Sequence, residues 1–346
     1  MIPSLSARVK LVAVAVAGAL TFAASGAVAG PLTTSFTVTG AVLSPSTFDL
    51  SDLDALPQSS AVVGADTYSG PTMWSVLNKV GLSGSGKNAS LRDVVLVTGS
   101  DGYAVAYSGG ELSPTFGGSA QPPLVASAIN GAPLTVSGFA RTVAPGDSRR
   151  GRFVSNMANV TVSQVAAATG PGGVSTQFTV GGLVRHALRV DLADLQGMPS
   201  ETRTVTFLSG AGPVTTTYTG VSLWSLLSLA VPTTDPAVKN DLLRHFVVAT
   251  GSDGYRVAFS MGELDPAFGG ADDFIAYEEN GSLLGSDGFA RIVVPGDLHG
   301  GRYISNLVSL QVLSAVPEPA TLVLLLPLVA ACVLLTRRRP ASSAAV

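Results

Sequence analysis

The chain has 346 residues, only 12% of them charged, and a formal net charge of −3; that length accommodates about two domains of ordinary size. Residues 31–316 carry 15 basic against 22 acidic side chains, a balance that argues against phosphate-backbone binding and leaves nucleic acid out of the expected partners. The only cysteine, Cys332, sits in a C-terminal apolar run, which excludes disulfides and cysteine-ligated metal from the body of the chain.

Arg8 and Lys10 precede an apolar run over residues 11–22, and small residues follow as far as Ala27-Val28-Ala29. A basic start, a short hydrophobic middle and an A-x-A site describe a secretory signal peptide over 1–29, with Ala27 and Ala29 marking the cleavage site. The run is short for an uncleaved transmembrane helix.

The body then repeats itself, as residues 31–165 and 176–315. Gly138-Phe139-Ala140-Arg141, Pro145-Gly146-Asp147, Gly151-Arg152 and Ser155-Asn156 return 150 positions later as Gly288-Phe289-Ala290-Arg291, Pro295-Gly296-Asp297, Gly301-Arg302 and Ser305-Asn306. A period that long signals duplicated domains, not a solenoid. Each copy opens on an alternating strand, Phe36-Thr37-Val38 or Phe178-Thr179-Val180, and continues to a short helical turn opened by an acidic cap at Asp52 or Asp191. Tyr68-Ser69-Gly70 and Tyr218-Thr219-Gly220 precede helices whose apolar spacing places Trp74 and Trp224 on a buried face. An apolar strand over 94–97 or 246–249 enters the turn Asp101-Gly102-Tyr103 or Asp253-Gly254-Tyr255, and a hairpin strand leaves it at 105–107 or 257–259. Gly110-Glu111-Leu112 and Gly262-Glu263-Leu264 come next. Residues 166–175, rich in Gly and small side chains, read as a linker, and a turn-rich insertion over 207–214 belongs to the second copy alone.

Residues 316–340 run from Val316-Pro317-Glu318-Pro319 through an apolar segment to Arg337-Arg338-Arg339. This order of short motif, apolar helix and basic cluster resembles the PEP-CTERM sorting signal of bacteria that possess an exosortase. The resemblance implies export, a C-terminal transmembrane helix as membrane partner, and cleavage near Pro317 by an exosortase-type enzyme, with a plain single-pass anchor as the alternative. The body would sit in the periplasm at the inner membrane or, after processing, at the cell surface or in the extracellular matrix.

The order of strand, Tyr-x-Gly with its Trp-bearing helix, Asp-Gly-Tyr turn, Asn130-Gly131 or Asn280-Gly281, then Gly-x-x-Arg-x-x-x-Pro-Gly resembles the oxidoreductase molybdopterin-binding domain of the sulfite oxidase type. Arg141 to Gly146 and Arg291 to Gly296 carry the most specific part. The resemblance implies an α+β fold: two tandem sulfite-oxidase-like modules, mostly antiparallel sheet with short helices, plus the C-terminal transmembrane helix. In that family a pterin cofactor lies over loops at one end, and a cysteine upstream of Tyr-x-Gly gives molybdenum a thiolate. Ser209 stands at that cysteine position in the second copy, and the first copy is too short to have an equivalent. A hydroxyl is a poor soft ligand. The family's His before Gly-x-x-Arg is replaced by Ser137 and Asp287, and its Lys-Trp by Ser155-Asn156 and Ser305-Asn306. These departures lead to the expectation of no catalytic residue, no metal and no cofactor, with molybdopterin as the alternative.

The candidate ligand-binding residues are the polar positions shared by both copies: Asp101 and Asp253, Tyr103 and Tyr255, Glu111 and Glu263, Arg141 and Arg291, Asp147 and Asp297. Arg152 and Arg302 are shared as well. The structural reading of Arg141 and Arg291 is an arginine half-buried against Asp147, Asp297, Glu111 or Glu263. For Asp101 and Asp253 it is a turn residue, with a cation site as the alternative. His186, His245 and His299 lack ligand spacing, and His186 is expected in a strand at the surface or an edge. The function expected is an exported, non-catalytic module that binds an envelope component, an extracellular polysaccharide or a small ligand. The alternatives are a molybdopterin-dependent oxidoreductase of sulfite oxidase type and a surface spacer with no ligand.

Overall fold

The computed structural model describes residues 30–316. The cleavage positions Ala27 and Ala29 and the sorting positions Pro317, Glu318, Pro319, Arg337, Arg338 and Arg339 lie outside the described residues.

The first half begins with β1 (Phe36–Gly40), whose alternation buries Phe36 and Val38, and β2 (Ser46–Phe48). The single-turn α1 (Leu50–Asp54) is held by a capping box: Asp49 accepts from the Asp52 amide, and the Asp52 carboxylate accepts from the Asp49 amide. The cap is therefore Asp49 and not the expected Asp52; Asp191 caps the corresponding turn as read. The hairpin β3 (Gln58–Val63) and β4 (Asp66–Pro71) leads into α2 (Met73–Val80), which buries Met73, Val76, Leu77 and Val80. Trp74 lies one position off that stripe and, like Trp224, is half-buried and packed against the rim of the core. The apolar hairpin β5 (Asp93–Gly99) and β6 (Ala104–Ser108), the one-turn α3 (Gly109–Leu112), the short strands β7 (Leu124–Ala126), β8 (Ala128–Ile129), β9 (Ala132–Pro133) and β10 (Arg141–Val143), and β11 (Met157–Gln164) complete the half.

The second half lays down the same series: β12 (Phe178–Gly182), β13 (Leu188–Val190), α4 (Leu192–Gln196), β14 (Ser200–Ser209), β15 (Gly212–Ser222), α5 (Leu223–Ala230), β16 (His245–Gly251), β17 (Arg256–Ser260), α6 (Met261–Leu264), β18 (Phe274–Glu279), β19 (Ser282–Leu283), β20 (Arg291–Val293) and β21 (Leu307–Ser314). Its main sheet has the order β13-β12-β21-β16-β17, matching β2-β1-β11-β5-β6 in the first half. In each, one parallel pair (β1 with β11, β12 with β21) sits among antiparallel ones. The Tyr-x-Gly motif has a packing cause: a Cβ on Gly70 or Gly220 would come within 2.2 Å of a carbonyl oxygen, of Val125 or Ile275. The halves differ most at the hairpin, which is ten paired positions long in β14–β15 and six in β3–β4.

The architecture is mostly β-sheet, which corrects the α+β expectation. Helices here reach at most eight residues because Gly, Thr and β-branched residues fill the intervals between caps. No helix among the described residues is long and apolar enough to cross a membrane; the C-terminal spanning helix is unsupported, and its residues lie outside the described range. Residues 166–175 have no regular structure, and the amides of Gly170 and Gly172 are pinned to the carbonyls of Asp253 and Ser252.

The halves dock through a reciprocal seam. Leu91 and Phe116 of the first half pack into the second half's core, while Leu243 and Phe268 of the second pack into the first's. Val94, Ala106, Phe246, Val248 and Ala258 form a small apolar cluster of their own between the main sheets. Exchange of equivalent residues across a shared surface is the pattern of an isologous dimer, here within one chain.

Candidate functional site

The shared acidic residues and Arg152 or Arg302 form two buried triads. Arg152 donates from Nε and Nη2 to Asp147 Oδ2 and Oδ1 at 2.9 and 2.6 Å and from Nη1 to Glu111 at 2.5 Å. Arg302 does the same with Asp297, at 2.8 and 2.5 Å, and with Glu263. Burial holds the carboxyls of Asp147, Glu263 and Asp297 above the usual carboxylate range, with the arginine opposing it. Each triad lies within one half and is tied across the seam: Ser108 Oγ donates to Glu263 and Ser260 Oγ to Glu111, both at 2.6 Å. A Cβ on Gly110 would lie 2.5 Å from Arg302 Cδ, and one on Gly262 2.6 Å from Arg152 Cδ, so the Gly-Glu-Leu turns keep glycine where the opposite arginine crosses.

Arg141 and Arg291 are not the partners of these acids, a correction to the expected pairing. Arg141 lies over the rings of Tyr68 and Phe153, at 5.7 and 5.6 Å, and burial lowers its pKa. Arg291 lies over Tyr218 and Tyr303 and donates to Asp287 at 2.6 Å. Asp101 and Asp253 are turn residues, each accepting from the amide of the following tyrosine. Tyr103 and Tyr255 bolt the halves together: their hydroxyls donate to the Gly151 and Gly301 carbonyls and accept from Asn240 and Asn88 of the opposite half. Both asparagines have positive φ, 52° and 56°. The repeated dipeptides Lys87-Asn88 and Lys239-Asn240 were the unused signal for this contact.

The larger cavity, about 680 Å³, belongs to the second half and is completed by the first. Phe207, Ser209, Arg291, His299 and Tyr303 line it, with Lys87 and Phe116 from across the seam. It exists because β14–β15 is long enough to reach over the 298–300 loop, where the Leu208 amide donates to the Leu298 carbonyl. Gly300 must be glycine there, since a Cβ would meet the Phe207 ring at 2.8 Å. The first half carries Arg150 at the matching position, its guanidinium directed to the Val63 carbonyl, Asp66 and Tyr68 beneath a shorter hairpin. Of the candidate residues, Arg291 and Tyr255 reach this cavity; Asp101, Tyr103, Arg141 and Asp253 do not. Lys87, His299, Phe207 and Tyr303 were missed. Burial pushes the Tyr303 phenol upward, and the Tyr218 phenol to about 12. His186 is exposed in a bend, not a strand, and His245 is buried at the start of β16, where burial lowers its pKa.

Residues 172–319 match the oxidoreductase molybdopterin binding domain. The match takes in the whole of the second half from β12 to β21 and therefore most of the residues that line the larger cavity, Lys87, Asn88, Thr115 and Phe116 excepted. Among solved structures, the crystal structure of the sulfane dehydrogenase SoxCD from Paracoccus pantotrophus is similar, with 25% identity over 40% of this chain and 38% of that one, at a TM-score of 0.33. The chain thus spans well under half the length of that relative. No curated protein matches the chain.

The larger cavity suits the organic part of the cofactor that the matched domain implies. Its volume is in the range of sites for organic cofactors, and Lys87, Arg291 and His299 supply donors suited to anionic groups. Arg291 Nε and the Tyr303 hydroxyl are buried with no hydrogen-bond partner among the described residues, an arrangement that is costly unless a ligand or water meets them. The organic part of the cofactor fits. The metal side does not fit thiolate ligation: Ser209 offers a hydroxyl, and that hydroxyl donates to the Gly212 carbonyl at 2.8 Å within the hairpin tip.

Proposed function

We propose that the second half binds a molybdopterin-class cofactor in the 680 Å³ cavity beneath the β14–β15 hairpin, and that oxidoreductase activity, where present, resides there. This replaces the expectation of a chain without a cofactor. The observation that carries it is the pair of buried, unpartnered donors, Arg291 Nε and Tyr303 Oη, on residues that line a cationic, aromatic-walled cavity formed mostly by the matched domain. Arg291, Lys87 and His299 would hold the anionic groups, and Phe207 and Tyr303, packed on each other with ring centroids 4.4 Å apart, would give the ring system one aromatic wall. When bound, the cofactor supplies the redox chemistry; the protein's part is to bind it, orient it and exclude water. Ser209 favours a second reading, a module that holds the pterin without the metal. Export through residues 1–29 and sorting through Val316-Pro317-Glu318-Pro319 belong to the same proposal, and fractionation of cells expressing the full chain tests them.

The decisive experiment purifies the full chain from a host that makes molybdopterin and measures pterin, by fluorescence after oxidation, and molybdenum in the same sample. Pterin near one per chain supports the proposal; accompanying molybdenum selects the oxidoreductase reading, and its absence selects the metal-free module. Arg291→Met is expected to lower pterin retention about ten-fold or more, the value of one charge-assisted contact, while Arg141→Met in the first half leaves it unchanged. No pterin in the wild type, or equal loss in both variants, overturns the proposal.

A further inference from the structure

A second cavity, of about 260 Å³, lies on the seam where both Pro-Gly-Asp turns and both Gly-Glu-Leu helices meet. Its wall carries Glu111, Asp147, Glu263, Asp272, Asp273 and Asp297 against only Arg152 and Arg302. Each arginine is already shared by two carboxylates of its own triad. Asp272 is largely exposed and pairs with Arg203 at 2.7 Å. Asp273 has no such relief. It is 3% exposed, and its Oδ2 has no hydrogen-bond partner among the described residues. Burial raises its pKa well above the carboxylate range; Arg302 opposes this, and Glu263, Asp297 and Asp272 reinforce it.

A carboxylate in that position is expensive to leave unmet, whether charged or neutral. The matching position of the first half is Pro123, so the group is not an inheritance of the repeat. A hard metal ion would require several oxygens converging at about 2.0–2.6 Å, and no group of three or more His, Cys, Asp or Glu among the described residues is arranged to hold one. The space is many times that of a bare ion, and Ala120, Pro123, Ala144, Ala271 and Pro295 give it small apolar walls. We propose that this seam cavity binds a small alkylammonium or alkylguanidinium ligand, with its N–H head on Asp273 Oδ2 and its hydrocarbon body against Ala144 and Ala271.

Calorimetric titration of the purified full chain with n-butylammonium and n-butylguanidinium tests it, with tetramethylammonium, which has charge but no N–H, and calcium as comparisons. Expected is saturable binding of one butylammonium or butylguanidinium per chain, with tetramethylammonium and calcium weaker by about ten-fold or more. Asp273→Asn is expected to weaken the alkyl cations by about the same factor. Ala271→Leu, which fills the cavity without touching a charge, is expected to do likewise and decides the matter should the first variant fold poorly. Unchanged affinity in both variants, preference for calcium, or no saturable binding of either alkyl cation overturns the proposal.

Discussion

Replacing Arg302 by methionine is the sharpest test of the buried triads. The guanidinium is 4% exposed and makes three charge-assisted hydrogen bonds, two to Asp297 and one to Glu263. Such bonds are individually worth about 1.5–3 kcal/mol, but they share one group and do not add. The relevant scale is loss of one partner from a buried ion network, about 3–5 kcal/mol, because Asp297 and Glu263 are left charged without a counterion. Methionine fills most of the volume, so the loss is electrostatic and must depend on pH. Burial already holds both carboxyls above their unfolded values, and removing the guanidinium raises them further. A raised carboxyl contributes stability that is present below its unfolded pKa and lost as pH rises through the folded one. The deficit of the variant against the wild type is therefore largest near pH 8 and shrinks toward pH 4. Urea unfolding of both proteins at several pH values measures it. A deficit under about 1 kcal/mol at pH 8, or one that does not change with pH, refutes the reasoning.

Four further outcomes follow from the geometry. Asp93, 1% exposed with an unpartnered Oδ2, is raised by burial to about 6, so it costs stability as pH rises from about 4 to above 6; Asp93→Asn should flatten that window and stabilise by up to about 3 kcal/mol at pH 8 in the same unfolding assay. Gly301→Ala places a methyl 2.4 Å from the Phe116 ring, and overpacking of this kind costs about 1–3 kcal/mol, read as a lowered Tm. Asn88→Ala and Asn240→Ala each remove one cross-seam hydrogen bond to a tyrosine hydroxyl and should cost about 1 kcal/mol apiece, but only the former should also weaken ligand retention in the larger cavity. Shortening the β14–β15 hairpin to the length of β3–β4 should abolish pterin retention while far-ultraviolet circular dichroism stays unchanged, since the main sheet does not depend on its tip.

Local signals made the order of elements legible. Acidic caps, Asp-Gly turns and two-residue alternation act within a few positions, and they recur in the same order in both halves, so β1 and the β5–β6 hairpin could be placed from residues alone and α1 to within a few positions. The α+β expectation gave way to a mostly β-sheet fold because the caps open only short helices between longer runs of strand. Pairings between distant residues were out of reach. Arg141 and Arg152 are both shared, both near the same acids in the chain, and spacing does not say which of them turns inward.

The amino-acid sequence by itself determined the recurring motifs, the turns and the absence of cysteine sulfur from the body, because each is a property of composition or of neighbours in the chain. Only the tertiary structure decided that Glu111, Asp147, Glu263 and Asp297 close on Arg152 and Arg302, that Lys87 of one half completes the cavity of the other, and that Asp273 is left unpartnered. The triads close within each half across as many as 41 positions, and the Lys87 contact depends on how the two halves dock, which brings together side chains about 200 positions apart whose meeting no local periodicity records.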